Sequence, residues 1–335
     1  MANMMNAKVD LTETNRVKDA APAINVSPSP HIGSTSNSTR RMMIDVLIAL
    51  TPAVAMAIYM FRVYALIHLG LCVATCLAAE YLFVRMRGKS ISLNDFSAAV
   101  TGVILALSMP ATAPWYASVI ASAVAIGLGK IIFGGLGMNI FNPAMVGRAF
   151  VMISFAGAMG AAAYESGAGW VDAISQATPM NALKQAGTWT PIGDMFLGLT
   201  NGSLGETSAL ACLLGGLYLC YRRTASWEIP AGMIATVLVI SGIVDLVGGH
   251  GGRLILHHLF GGALLFGAFF IATDPVSSPL TPRGKAIFGI GIGALVMLLR
   301  FLSGYPEGVM FAVLLMNAVT PLINRWTIPR TFGEY

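Results

Sequence analysis

Apolar positions along this chain come in blocks far longer than a strand or a single turn. A polar stretch of about forty residues opens it, and long apolar runs follow, separated by short loops rich in Gly, Pro and basic residues. Runs such as MMIDVLIALTPAVAMAIYMF (42–61) and WYASVIASAVAIGLGKIIF (115–133) approach the ~20 apolar residues that carry a helix across hydrocarbon. Ten segments fit that description: 42–61, 63–86, 93–109, 115–133, 142–159, 207–221, 228–248, 255–272, 285–301 and 306–324. Several are short or interrupted by glycine. They read as broken or tilted helices, which a membrane tolerates where protein covers the loosened backbone.

Composition agrees with that reading. The chain is 56% hydrophobic and 10% charged, against about 25% charged residues in an ordinary soluble domain, so the fold class is an all-α polytopic membrane protein. The net charge of +5 then reports basic loops rather than an acidic partner, and nothing points to nucleic acid. With the N-terminus in the cytoplasm, the inside set holds Arg40, Arg41, Arg85, Arg87, Lys89, Lys130, Arg222, Arg223, Arg283, Lys285, Arg325 and Arg330. The outside set keeps only Arg62, Lys184 and Arg253, with Arg300 near that face. Such a bias sets topology. Both termini are expected inside, and residues 160–206 outside.

The expected organisation has five parts: a flexible cytoplasmic segment (1–41), a first five-helix repeat (42–159), an outer loop (160–206), a second five-helix repeat (207–324) and a cytoplasmic tail (325–335). SMPATAP (108–114) ends the third segment as ATDPVSSP (272–279) ends the eighth. Five spans per half force the halves to be inverted, an arrangement that places something near the bilayer midplane. The first forty residues lack an apolar stretch and are no secretory signal. Within them SPSPHIG (27–33) either docks on the membrane domain or marks plain turns.

Chemistry concentrates in three places. KIIFGGLGMNIFNPAMVGRAF (130–150) combines glycines with the amides of Asn139 and Asn142, with Pro143 suited to a helix start and Asn142 to its cap. A structural helix break explains the glycines, but not two asparagines and Arg148 at membrane depth, where polar groups are costly and usually functional. FFIATDPVSSPLTPRGK (269–285) ends an apolar helix in Thr273 and Asp274, with a cofactor contact, an ion contact and a cap all open for Asp274. VDAISQATPMNALKQAG (171–187) is a polar loop whose local pattern alone is a capped turn. Asp45, Glu80, Asp245 and Arg300 read individually as structural charges near interfaces, with Arg300 able to snorkel. The four cysteines read as small packing residues, since neither iron–sulfur nor haem-attachment spacing occurs. Metalloprotease, Walker, hydrolase-elbow and dinucleotide patterns are also missing.

With FGGLGMNIFNPAMVGRAF, DAISQATP, GETSALACLLGG (205–216), FGAFFIATDPVSSP and GYPEGVMFAVLLMN in hand, the chain resembles the NqrB/RnfD family. That family holds the D subunit of the Rnf electron-transport complex and a subunit of the sodium-pumping NADH:quinone reductase. The resemblance implies a multi-pass subunit of the bacterial inner membrane, without its own NAD or ferredoxin site, that relays electrons between ferredoxin and NAD in a complex moving Na+ or H+. It implies FMN held through a phosphoester on an external threonine, attached by a flavin transferase at a D-x-x-[S/T]-G-A-T pattern. Here that pattern is Asp172, Ser175, Ala177 and Thr178, with Gln176 where the family has glycine, so Thr178 is the implied tether. The resemblance further implies noncovalent riboflavin nearer the cytoplasm, lined by Asn139, Asn142, Thr273 and Asp274. The implied partners are the other Rnf subunits, above all the flavin-bearing G subunit, and membrane lipids. A channel or transporter built on the inverted repeat, or a scaffold subunit, is the rival expectation.

Overall fold

A computed structural model describes residues 38–88, 93–159, 178–249, 251–303 and 308–329. Regular structure among them is helical, with one isolated bridge between Pro110 and Ser203. Five helices are long and apolar enough to cross a membrane: α1 (Thr39–Phe61), α2 (Val63–Met86), α10 (Glu228–Gly248), α13 (Pro282–Leu302) and α14 (Val309–Thr327). A sixth candidate is a bent pair, α11 (Arg253–Phe260) and α12 (Leu264–Phe266, continuing as a π turn to Ile271), with 54° between its halves. Four apolar helices are shorter: α3 (Ser97–Ser108), α4 (Trp115–Ile126, with a π turn Gly127–Ile131), α5 (Pro143–Ser154) and α9 (Ala209–Tyr221). Each of the ten apolar segments thus holds a helix, but a 12-residue helix such as α3 is only about 18 Å long, short of the ~30 Å hydrocarbon core.

Local chemistry explains where the helices deviate from the hydrophobic runs. The third segment was expected from 93, but its helix starts at Ser97. Residues Leu93–Asp95 form a 3-10 turn, Phe96 sits at φ 62°, and the Asp95 carboxylate accepts from the Ser97 N–H at 2.8 Å. The fifth breaks at Phe155 before α6 (Ala156–Met159). The ninth begins earlier than the apolar run, at Pro282, because Thr281 caps it through a 3.0 Å bond from the Gly284 N–H. Two further short helices, α7 (Pro179–Asn181) and α8 (Ile192–Leu197), lie between the halves.

Breaks inside a membrane protein need partners for the backbone groups they release. Arg300 supplies them at the α11–α12 bend. Its guanidinium donates to the His258 carbonyl at 2.6 Å and the Gly261 carbonyl at 2.7 Å. The snorkelling expected of Arg300 does not occur, because the side chain is only 3% exposed and is used as an internal fork. Lys184, counted among the outer charges, caps the end of α13 by donating to the Arg300 carbonyl at 2.9 Å and to the Ser303 carbonyl. Asp245, expected to be structural, accepts from the N–H groups of Gly252 at 2.6 Å and Leu254 at 3.2 Å and so holds the start of α11. Cys72 and Cys76 pack beneath α4, with their sulfurs 4.0 Å from the Ser118 and Ser122 carbonyls.

Candidate functional site

Two motifs far apart in sequence meet where the broken helices end. Asn142 caps α5 with its side-chain oxygen, accepting from the N–H groups of Ala144 (3.1 Å) and Met145 (3.4 Å). Its amide nitrogen donates to the Ile271 carbonyl, 3.2 Å away at the end of the π turn after α12. One side chain therefore closes the start of one broken element and the end of another. Past Ile271 the chain turns on Asp274, which accepts from the Val276 N–H at 3.2 Å and the Ser277 hydroxyl at 2.9 Å. Burial pushes the Asp274 carboxyl above its ordinary value of 3.8, and those two donors offset part of the rise.

Above this junction lies an open cavity, with about 790 Å³ of space between its atoms when the solvent at its mouth is counted. Asn139, Asn142, Thr273 and Asp274 all line it. The structure thus brings together the four residues singled out from two separate motifs. Much of their hydrogen-bonding capacity is already in use. Thr273 donates to the Phe269 carbonyl at 2.6 Å, and Asn139 donates to the Phe141 carbonyl at 3.1 Å. For Asn142 and Asp274 the cap reading holds alongside the lining one. Val46, Ile104, Leu219 and Phe270 supply apolar walls. The loop over this region reaches its shape through Gly134, Gly135 and Gly137 at φ 130°, 114° and 89°, a backbone region that other residues rarely adopt.

Sequence reasoning missed a charged residue in this lining. Lys130 had been counted as a cytoplasmic loop charge. It is 2% exposed, within the π turn after α4, and its ammonium lies 2.7 Å from Glu80 Oε1. Glu80, expected as a structural charge, is 1% exposed and serves as its partner. A membrane lysine and glutamate on adjacent helices are each other's cheapest partners.

A second, smaller pocket of about 230 Å³ surrounds Thr178. Thr178 is 2% exposed and caps α7, its hydroxyl accepting from the Asn181 N–H at 3.4 Å. Thr200, Asn201, Gly202 and Glu206 also line the pocket. Their loop is anchored on the end of α3, where Leu204 N–H donates to Met109 (3.1 Å) and Gly205 N–H to Leu107 (2.6 Å). These bonds satisfy carbonyls that a helix end leaves without partners. Glu206 pairs with Arg148 at 3.5 Å, which gives that intramembrane arginine its counter-charge. Asp172, Ser175 and Ala177 lie outside the described residues.

The chain matches the family described as NQR2, RnfD, RnfE over residues 25–333. It belongs to that family. It is 42% identical over 314 residues to the D subunit of the Na(+)-translocating ferredoxin:NAD(+) oxidoreductase complex of Acetobacterium woodii, covering 92% of this chain and 95% of the relative. Identity is also 42%, over 318 residues, to the D subunit of the proton-translocating ferredoxin:NAD(+) oxidoreductase complex of Clostridium ljungdahlii, with coverage of 92% and 96%. The D subunit of the ion-translocating oxidoreductase complex of Stutzerimonas stutzeri shares 41% over 334 residues, covering 89% and 93%. Relatives named for different ions are thus equally similar to this family member.

A flavin can be tested against the two sites on the residues present. The large cavity offers apolar walls for a ring system and polar groups at its margins: Ser97, Thr101, Lys130 and Thr224 besides the four already named. The lining therefore combines apolar surface with hydroxyl, amide and charged groups. The Thr178 pocket is smaller, and its lining holds the Thr178 hydroxyl and the Glu206 carboxylate.

Proposed function

We propose that this chain is the membrane subunit of an ion-translocating oxidoreductase complex that relays electrons between two flavins. Riboflavin occupies the large cavity without a covalent bond, and FMN is esterified through its phosphate to Thr178. The observation that carries the reading is the convergence of Asn139, Asn142, Thr273 and Asp274, from both halves of the chain, on one cavity. Family membership, with relatives named as the D subunit of such complexes, supports it. A flavin exchanges electrons one or two at a time, which suits a link between one-electron and two-electron carriers.

The protein's own part is to hold and separate the two groups. The first residues of α3, Ser97, Val100 and Thr101, line the cavity, and the last carbonyls of α3 anchor the loop beside Thr178. The two sites therefore stand about one 12-residue helix apart, on the order of 18 Å. In this reading the ten segments form two inverted five-helix repeats, with both termini cytoplasmic and the Thr178 loop periplasmic. The flavin-bearing G subunit meets it there. Electron transfer between ferredoxin and NAD takes place on other subunits and is coupled to Na+ or H+ movement. Because Thr178 is buried, the flavin transferase meets the loop before it docks against residues 200–206.

The test is flavin fluorescence of the chain after denaturing electrophoresis, with acid-released flavin measured in parallel. Wild type gives a fluorescent band and releases riboflavin. Thr178→Ala loses the band and still releases riboflavin. Fluorescence persisting in Thr178→Ala removes Thr178 as the tether. A purified chain with no flavin and measurable solute flux selects a channel instead.

A further inference from the structure

The ion pair beside the large cavity has a direction. Lys130 lines the cavity and Glu80 does not. The ammonium donates to Glu80 Oε1 at 2.7 Å and to Ser97 Oγ at 2.6 Å, and the Ser97 hydroxyl in turn donates to Asp95 Oδ1 at 2.6 Å. Two of the three ammonium donors are so committed. Both side chains are almost fully buried, but only Lys130 lines the cavity, and its ammonium has one donor left beyond these two bonds. Such a pair is expensive to build when apolar residues of similar volume fill the space as well.

We infer that Lys130 is a positioning residue that favours the electron-rich form of the cavity's ring ligand, and that Glu80 and Ser97 fix its ammonium and moderate its charge. This rests on the flavin reading of the cavity. An oxidised flavin ring that takes up two electrons and one proton gains one negative charge. A fixed cation close to that charge lowers the energy of the reduced form, one of the means by which proteins tune flavins. Low-dielectric surroundings strengthen the effect. Glu80, outside the cavity lining, opposes it at greater distance from the ligand. The two residues therefore push the equilibrium in opposite directions, and the nearer one prevails.

Opposite signs make the inference testable. The full chain is purified in detergent carrying Thr178→Ala, so that the noncovalent flavin dominates the spectrum, and is titrated with dithionite against mediator dyes. Lys130→Met is expected to weaken binding of the reduced flavin relative to the oxidised by about tenfold, a fall in midpoint potential of about 30 mV for a two-electron couple. Glu80→Gln shifts the potential upward. Lys130→Arg, which keeps the charge, stays closer to wild type than Lys130→Met. A role confined to folding moves stability without this sign reversal. If Lys130→Met loses its flavin, Glu80→Gln decides the matter, and a potential that is unmoved or lower there overturns the inference. Bound flavin with equal potentials in all variants overturns it while leaving the flavin reading intact. A flavin-free parent chain overturns both.

Discussion

Replacing Asn142 with alanine tests whether the two broken elements are held by one side chain. Two separate losses follow. The α5 cap disappears, its oxygen having accepted from Ala144 and Met145, which costs roughly 1 kcal/mol. The Ile271 carbonyl loses its donor at 3.2 Å, and a buried group left unsatisfied costs about 1–3 kcal/mol. The Asp274 N–H, 3.4 Å from the same carbonyl, retains a long contact and keeps this second loss from its upper limit. Together they come to about 2–4 kcal/mol, or roughly 30- to 1000-fold in the folding equilibrium. Unfolding by SDS in mixed micelles measures this, followed by a thiol-reactive dye that reports exposure of the buried Cys72, Cys76 and Cys212. Asn142→Asp separates the two losses. It keeps the acceptor, adds a negative charge that a helix start favours, and lacks the donor to Ile271. Asp is expected to lie between wild type and Ala. An alanine variant within about 0.5 kcal/mol of wild type, the scatter of surface substitutions, refutes the reasoning, as does an Asp variant no better than Ala.

Three further outcomes follow from the geometry. A methyl group on Gly205 would stand 2.8 Å from Leu107 Cβ and 3.1 Å from the Leu107 carbonyl, so Gly205→Ala should cost about 1–3 kcal/mol through overpacking in the same SDS titration. Arg300→Lys should recover less than half the stability lost by Arg300→Met, because a single ammonium cannot replace the planar fork that joins the His258 and Gly261 carbonyls. The raised Asp274 pKa means that the folded chain keeps a proton which the unfolded chain releases near 3.8. Stability should therefore fall as pH rises from that value through the folded pKa and level off above it. Unfolding midpoints between about pH 4 and about pH 8 should show this fall, and Asp274→Asn should flatten it.

The helical segments were legible in the sequence because burial in lipid demands long apolar runs, and those runs are visible without any tertiary knowledge. Their ends were legible only where a local code exists. Asn142-Pro143 announced a capped start, and the structure places one there. Phe96 at positive φ carries no comparable local signal, and the Gly261-Gly262 pair marks a break without showing that Arg300 satisfies it. The candidate cavity was half legible. Asn139, Asn142, Thr273 and Asp274 stood out as polar letters in apolar runs, whereas Lys130 was hidden by a rule that assigns basic residues near span ends to loops. That rule concerns charges in water, and Lys130 has a carboxylate instead.

The same distinction bears on how the fold is held together. In lipid, two apolar helix faces gain little hydrophobic energy by meeting, because hydrocarbon already surrounds them. Polar links between distant segments then carry more of the specificity. Asp45 on α1 pairs with Arg222 just past α9 at 3.2 Å, Glu80 on α2 with Lys130 after α4 at 2.7 Å, and Arg148 on α5 with Glu206 in the loop before α9 at 3.5 Å. Two of these pairs join the first half of the chain to the second or to the connection between them, and Asn142 adds a third such link to Ile271. None of the three ion pairs is close in sequence, so no local pattern reveals its partner. Lys130 borders the large cavity and Glu206 the Thr178 pocket. The charges that specify how helices meet therefore also border the spaces those meetings create, and a substitution at either residue should alter ligand binding and stability together.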